Sequence, residues 1–165
     1  MRSPVPALVC LALAGCGGAD KSTAPPKAPA AITITSTAFA DGGTIPTQYT
    51  CAGEGTPPPL AWTGVPDDAH ELVLFVEDPD APGEPFVHWI RTEIPTDATA
   101  LPDGDDGWKP PCPPEGDPPH HYRFNLYALG RTAALTPDMS DADARREIER
   151  AEPMARGLLV GRFGR

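Results

Sequence analysis

Five side chains able to do chemistry fall in two short stretches. Asp78, Asp80 and His88 lie in ELVLFVEDPDAPGEPFVHWI (71–90), and His120 and Tyr122 lie in HHY (120–122). Carboxylates beside imidazoles can activate water, with or without a metal. Imidazoles and a phenol can instead donate hydrogen bonds to an anionic ligand. A carboxylate next to a histidine accepts from it and raises its affinity for a proton. The same residues also make plain structure: Asp-Pro and Asp-Ala-Pro form a turn, and histidines at strand starts are often only solvated.

The elements that must position these groups are strands. Leu72 to Val76 is a continuous apolar run, as expected of a strand covered on both faces. It stops at Glu77-Asp78-Pro79-Asp80, because Pro79 and Pro82 lack the donor that a central strand needs. Residues 86–94 read as the next strand and carry His88-Trp89. Residues 122–129, YRFNLYAL, read as a strong strand with His120-His121 at its head. Alternation puts His120 and Tyr122 on one face and His121 on the other. If these strands are neighbours, His120 and Tyr122 meet Asp78 and His88. Two histidines and two aspartates also suffice for zinc in number, but no helical ligand spacing supports it.

Around this centre, Ile32 to Phe39 alternates as a half-buried strand, Gly42-Gly43 turns it, and 45–50 reads as another short strand. Leu60-Ala61-Trp62 is a short apolar segment. Residues 95–119 form a long loop, of the kind that is functional or pinned. Ser140 caps a helix that runs through Ala151 until Pro153 stops it, with Asp141 and Asp143 at the positive end of its dipole. Residues 158–163 give a last strand. The expected fold is mostly β and antiparallel, with a helix near the C-terminus.

The first residues read as a targeting segment. Arg2 precedes a short apolar core, Val5 to Ala14, too short to span a membrane. It ends in Leu13-Ala14-Gly15-Cys16, which resembles the bacterial lipobox. Residues 1–15 are thus expected as a lipoprotein signal peptide, and Cys16 as the lipidated N-terminus. Residues 16–31 would be a flexible tether rich in Gly, Ala and Pro, and 32–165 one globular domain. The expected location is exported and lipid-anchored, on the cell membrane or an outer membrane. Of four cysteines, Cys10 leaves with the signal and Cys16 carries lipid, so Cys51 and Cys112 remain as an exported pair. Such a pair is more often a disulfide than a metal site. Without Arg2, 12 basic side chains face 23 acidic ones, a net charge of −11. This argues against a nucleic-acid partner and against electrostatic docking on anionic lipid.

YTCAGEGTPPPLAW (49–62), DPDAP (78–82), HW (88–89), PPCPP (110–114), HHYRFNLYAL (120–129) and GRFGR (161–165) occur in this order. Together they resemble the phosphatidylethanolamine-binding protein family, in its bacterial Raf-kinase-inhibitor-like branch. The resemblance covers essentially all of 32–165. It implies a β-sandwich with a large central antiparallel sheet and a small pocket for phosphate-like head groups. Carried onto this chain, the pocket residues are Asp78, Asp80, His88, His120 and Tyr122, with Pro111, Pro113 and Pro114 as a proline-rich wall. An ionised Asp78 repels a dianion but suits an ammonium, so the ligand expected is a zwitterion or a monoanion. Protonation of histidine should strengthen anion binding as pH falls through roughly 6.5. The chain departs from the family in 102–112, PDGDDGWKPPC, which is short, with Trp108 for a tyrosine and Pro110 for a glycine. Pro57 also stands where relatives often have serine.

The reading this favours is a non-enzymatic module that binds a small anionic or zwitterionic ligand, with regulation or inhibition of a partner protein as the role open to it, and with no cofactor and no metal. A hydrolase built on the Asp and His residues, and a purely structural envelope protein, are the alternatives. Against the hydrolase, the sequence has no serine elbow, no HExxH and no Walker loop.

Overall fold

An uninterrupted apolar strand needs neighbours on both edges and layers on both faces, and β5 (Glu71–Asp78) has them all. The computed structural model describes residues 24–165. It places β5 between β6 (Phe86–Ile94) and β7 (His120–Leu129), both antiparallel to it. β7 then pairs along its whole length with β8 (Pro153–Phe163). The β5–β7 register runs from Glu71 opposite Leu129 to Glu77 opposite Arg123 without a slip. Asp78 therefore comes level with Tyr122.

Alternation along these strands divides the core into two layers. On one face, Leu72, Leu74, Val76, Tyr122, Phe124 and Leu126 pack against Ile32, Ile34, Leu60 and Trp62. The last four belong to or flank a small second sheet, in which β2 (Thr33–Thr35) pairs antiparallel with β4 (Ala61–Thr63). On the other face, Val73, Phe75, Tyr127 and Leu129 pack against Ala144, Ile148 and Ala151 of the helical segment. The helix, α1 (Asp141–Arg150), begins where its cap predicts: Ser140 Oγ accepts the Asp143 N–H at 3.2 Å.

Four expectations change. The large sheet is mixed rather than antiparallel throughout, because β1 (Ala30–Ala31) and β3 (Gly43–Thr44) both run parallel to β8. The expected 32–39 strand is shorter than the alternation suggests: only β2, Thr33–Thr35, is strand, in the small sheet, while β1 just before it joins the large sheet. Glycine in β8 permits this close crossing. A Cβ at Gly157 would lie 2.9 Å from Ile32 O, and one at Gly161 would lie 2.5 Å from Ile45 Cγ1. Residues 45–50 form a 3₁₀ turn, Thr47–Tyr49, instead of a strand, since Pro46 starts it and the Thr50 N–H bonds back to Thr47 O. Finally, the fold begins before Ile32: Pro26 is buried and β1 is paired, so residues 26–31 of the expected tether belong to the folded domain. The signal segment and Cys16 lie outside the described residues.

The long 95–119 loop is pinned. Trp62 and Leu101 make backbone bonds across to Thr99 and Leu60, and the indoles of Trp89 and Trp108 donate to Asp106 O and Gly55 O at 2.8 and 2.9 Å. A Cys51–Cys112 disulfide, with Cα atoms 5.4 Å apart, ties the loop to the segment after the 3₁₀ turn.

Candidate functional site

The strand ends bring three chain segments to one place. Asp78 closes β5, and His120 and Tyr122 open β7 on the same face, as alternation requires. His88 needs a further device. Val76 pairs with Trp89, but Glu77 pairs with Val87, so one residue is extra in β6. That bulge re-aims the chain and lets His88 join Trp89 on the pocket side, while Val87 turns to the helix layer. The His88 and Tyr122 rings then meet edge to face, with centroids 5.1 Å apart.

The resulting cavity, about 330 Å³, is lined by Asp78, His88, His120 and Tyr122 at its polar end. Ala81, Pro82, Phe86, Pro110, Pro113 and Pro114 form apolar walls, with Lys109 and Cys112 completing it. Cys112 is held in the disulfide. Lys109 is exposed at the rim, its Nζ 5.5 Å over the Phe86 ring.

Each polar group has a definite state. The Asp78 carboxylate accepts from His120 Nδ1 at 2.7 Å and from the Asp80 N–H at 2.8 Å. His88 Nδ1 lies 2.6 Å from Lys109 O; a carbonyl only accepts, so this nitrogen carries the proton. Neutral His88 therefore keeps Nε2 as an acceptor. Burial pulls the His88 pKa below its usual value, with the Lys109 carbonyl and Asp78 opposing, so the rise in anion binding expected near pH 6.5 moves lower for this ring. The Tyr122 hydroxyl is buried and has no hydrogen-bond partner among the described residues. Burial, reinforced by Asp78 and Asp80, raises its pKa, which keeps it a neutral donor.

Two of the residues expected at the pocket stand elsewhere. The strand ends at Asp78, whose Oδ1 takes the Asp80 N–H and turns the chain. Asp80 is thereby directed to His121, accepting from its backbone N–H at 2.8 Å and its Nδ1 at 2.7 Å, outside the cavity lining. Desolvation raises the Asp80 pKa, but the bonds from the His121 ring and backbone together outweigh it and leave the pKa below its usual value. Pro111 is not in the lining either; its carbonyl accepts the Cys51 N–H at 3.1 Å. Sequence reasoning missed Ala81, Pro82, Phe86, Lys109 and Cys112 as lining, and marked Pro110 only as a departure from the family. The signal for Lys109 was its place two residues before the PCPP wall. Among the described residues, no three His, Cys, Asp or Glu side chains group as a metal site.

Comparison with known proteins agrees with this fold. The sequence profile described as phosphatidylethanolamine-binding protein matches residues 35–163. The chain belongs to the phosphatidylethanolamine-binding protein family. It is 38% identical over 183 residues to the candidate lipoprotein LppC of Mycobacterium tuberculosis, covering 93% of this chain and 90% of that one. It is 39% identical to a UPF0098 protein of Methanothermobacter thermautotrophicus, covering 78% of this chain and 95% of the relative. Among solved structures, it resembles the family homologue CT736 of Chlamydia trachomatis (TM-score 0.70, 32% identity, 82% of this chain and 98% of that one). It also resembles E. coli YbcL, described as a member of the mammalian family (TM-score 0.72, 28% identity, 82% and 99%). Among the described residues, no helix is long and apolar enough to cross a membrane.

Proposed function

We propose that this chain is a lipid-anchored envelope protein whose pocket binds a small phosphate-bearing zwitterion or monoanion without turning it over. The observation that carries this reading is the buried Tyr122 hydroxyl without a protein partner, in a side chain that lines the cavity. An orphaned buried hydroxyl costs about 1–3 kcal/mol, a cost that a ligand oxygen accepting from it would remove. Asp78 supplies one negative charge and Lys109 one positive charge at the rim, a pairing suited to a head group carrying both ammonium and phosphate. His88 Nε2 accepts from a protonated ligand atom at neutral pH and donates once the ring is charged. The cavity's only sulfur nucleophile, Cys112, is locked in a disulfide, and Asp78 is already occupied by His120. Both features favour binding over hydrolysis. The name of the LppC relative supports the anchor, in line with the lipobox-like Leu13-Ala14-Gly15-Cys16. A bound pocket could in turn present or withhold a surface to a partner protein.

The anchor is tested by Cys16→Ser, which should move the protein from the membrane fraction to the soluble one; unchanged retention contradicts it. The pocket is tested by calorimetric titration of phosphorylethanolamine and inorganic phosphate, with phosphate-release assays alongside. Phosphoester turnover by the metal-free protein, lost in Asp78→Asn, would replace the binding reading with a hydrolase.

A further inference from the structure

The face of the β7–β8 ribbon that α1 leaves uncovered carries a different cluster. Along β8, alternation puts Arg156, Leu158, Val160 and Arg162 outward, and along β7 it puts His121 and Arg123 beside them. Leu158 is 42% exposed, one of only two large hydrophobic side chains so open among the described residues. Between them and Pro25 runs a groove of about 450 Å³, lined by Arg123, Arg156, Leu158, Val160 and His121, with Pro79 and Asp80. The segment from Ala24 lies along Arg156 and Leu158, with Lys27 exposed on it.

Little of this positive charge is spent inside the protein. Arg156 donates to the neutral Asn125 Oδ1, with Nη2 at 2.6 Å, and Arg162 donates to Gly42 O at 3.0 Å. Arg123 stands 4.0 Å from Glu77, but that carboxylate already pairs with Arg145. Asp80, at the groove's end, is taken by His121. So a chain that is acidic as a whole gathers Lys27, Arg123, Arg156 and Arg162 around an exposed leucine.

The position of this face decides the occupant. The described residues begin here, at Ala24, eight residues after Cys16, and eight residues reach at most about 29 Å. A lipid on Cys16 would hold this side of the domain within that distance of the bilayer, where arginines favour anionic head groups.

We propose that the Arg123–Arg156–Leu158–Arg162 face docks on an anionic phospholipid surface, with a lipid phosphate in the groove between Arg123 and Arg156. The pocket of Asp78 and His120 lies on the opposite face of the sheet and stays open to the aqueous side. The inference rests on the lipid anchor proposed above.

The mature lipidated chain, reconstituted in vesicles, tests it. A fluorophore is placed at Leu158→Cys or, as a control, at Asp68→Cys, and the vesicles carry a lipid-borne quencher. Flotation is read first. In vesicles with one third phosphatidylglycerol at low salt, the label at 158 should be quenched and the label at 68 should not. Phosphatidylcholine alone, high salt, or Arg123→Gln with Arg162→Gln should each weaken that contrast, the double variant by roughly an order of magnitude in docking equilibrium. A protein that floats but is quenched equally at 158 and 68, or regardless of lipid charge, overturns the docking face and leaves the anchor standing. A protein that fails to float overturns both.

Discussion

Glu77 and Asp78 are consecutive on β5, both are buried, and they point to opposite faces of the same sheet. Their surroundings could hardly differ more. Glu77 is enclosed by its own chain: Arg145 Nη2 donates to it, Arg145 Nε donates to Asp141 at 2.8 Å, and Asn125 Nδ2 lies 3.4 Å away. Arg145 Nη1 lacks a hydrogen bond there, as does the nearby Tyr127 hydroxyl on the same face, and the guanidinium stacks 5.8 Å over Phe75. Burial pushes Glu77 up to about 7, while the carboxylates beside Arg145 keep the guanidinium charged. Asp78 belongs to a cluster that its own chain leaves incomplete, with a donor-ready Tyr122 hydroxyl, a free His88 nitrogen and a cavity in front of them. A buried charge with all its partners inside the fold clamps α1 to the sheet. A buried charge facing unmet donors is where a ligand belongs.

This contrast is broken most forcefully on the helix side. Arg145→Ala leaves Glu77 and Asp141 buried without their cation and should cost about 3–5 kcal/mol in urea unfolding. Ligand affinity of the remaining folded protein should stay unchanged. A loss under 1 kcal/mol would mean the clamp is dispensable.

Cys51→Ser with Cys112→Ser comes next, at about 2–4 kcal/mol in the chain-entropy account of a loop closed over 61 residues. It should also lower ligand affinity, since Cys112 sits within the Pro110–Pro114 wall. Unfolding midpoints and titrations of the same variant separate the two effects.

Tyr122→Phe sharpens the comparison. Losing an unpartnered hydroxyl should leave stability equal or up to about 1 kcal/mol higher, yet cut affinity about five- to tenfold. Stability loss together with unchanged affinity would make the hydroxyl structural.

The smallest effect is in pH. Because the folded fold depresses the His88 pKa, the unfolded chain takes up this proton first. Its contribution to stability is present above roughly 6.5 and is lost as pH falls from there through the lower folded value. Glu77 has the opposite sign: its folded pKa is raised, so its contribution is greatest below about 4.5 and is lost as pH rises through about 7. His88→Gln should flatten the acid-side fall, and Glu77→Gln the change near neutrality, in unfolding free energies measured between pH 5 and 8.

Much of this was legible in the sequence where the physics is local. The apolar run of β5, the bounds of β6, the faces of His120 and Tyr122, and the Ser140 cap follow from periodicity and capping. What stayed hidden depends on partners. The bulge that admits His88 is a property of the β5–β6 pairing, and the parallel joins of β1 and β3 depend on glycines far away in β8. The resemblance placed Asp80 in the pocket beside Asp78, but the Asp78 carboxylate takes the Asp80 N–H and the turn this makes directs Asp80 to His121. Net charge hid the basic β7–β8 face because a sum over the chain says nothing about which side carries which sign.

The central claim is that the Asp78 cluster is completed by a ligand. Calorimetric titration of phosphorylethanolamine into wild type, Tyr122→Phe and Tyr127→Phe tests it most directly, because Tyr127 is buried on the helix face of the same strand. The account predicts saturable binding in wild type and Tyr127→Phe, weakened in Tyr122→Phe. No binding in wild type, or one affinity for all three proteins, would contradict it.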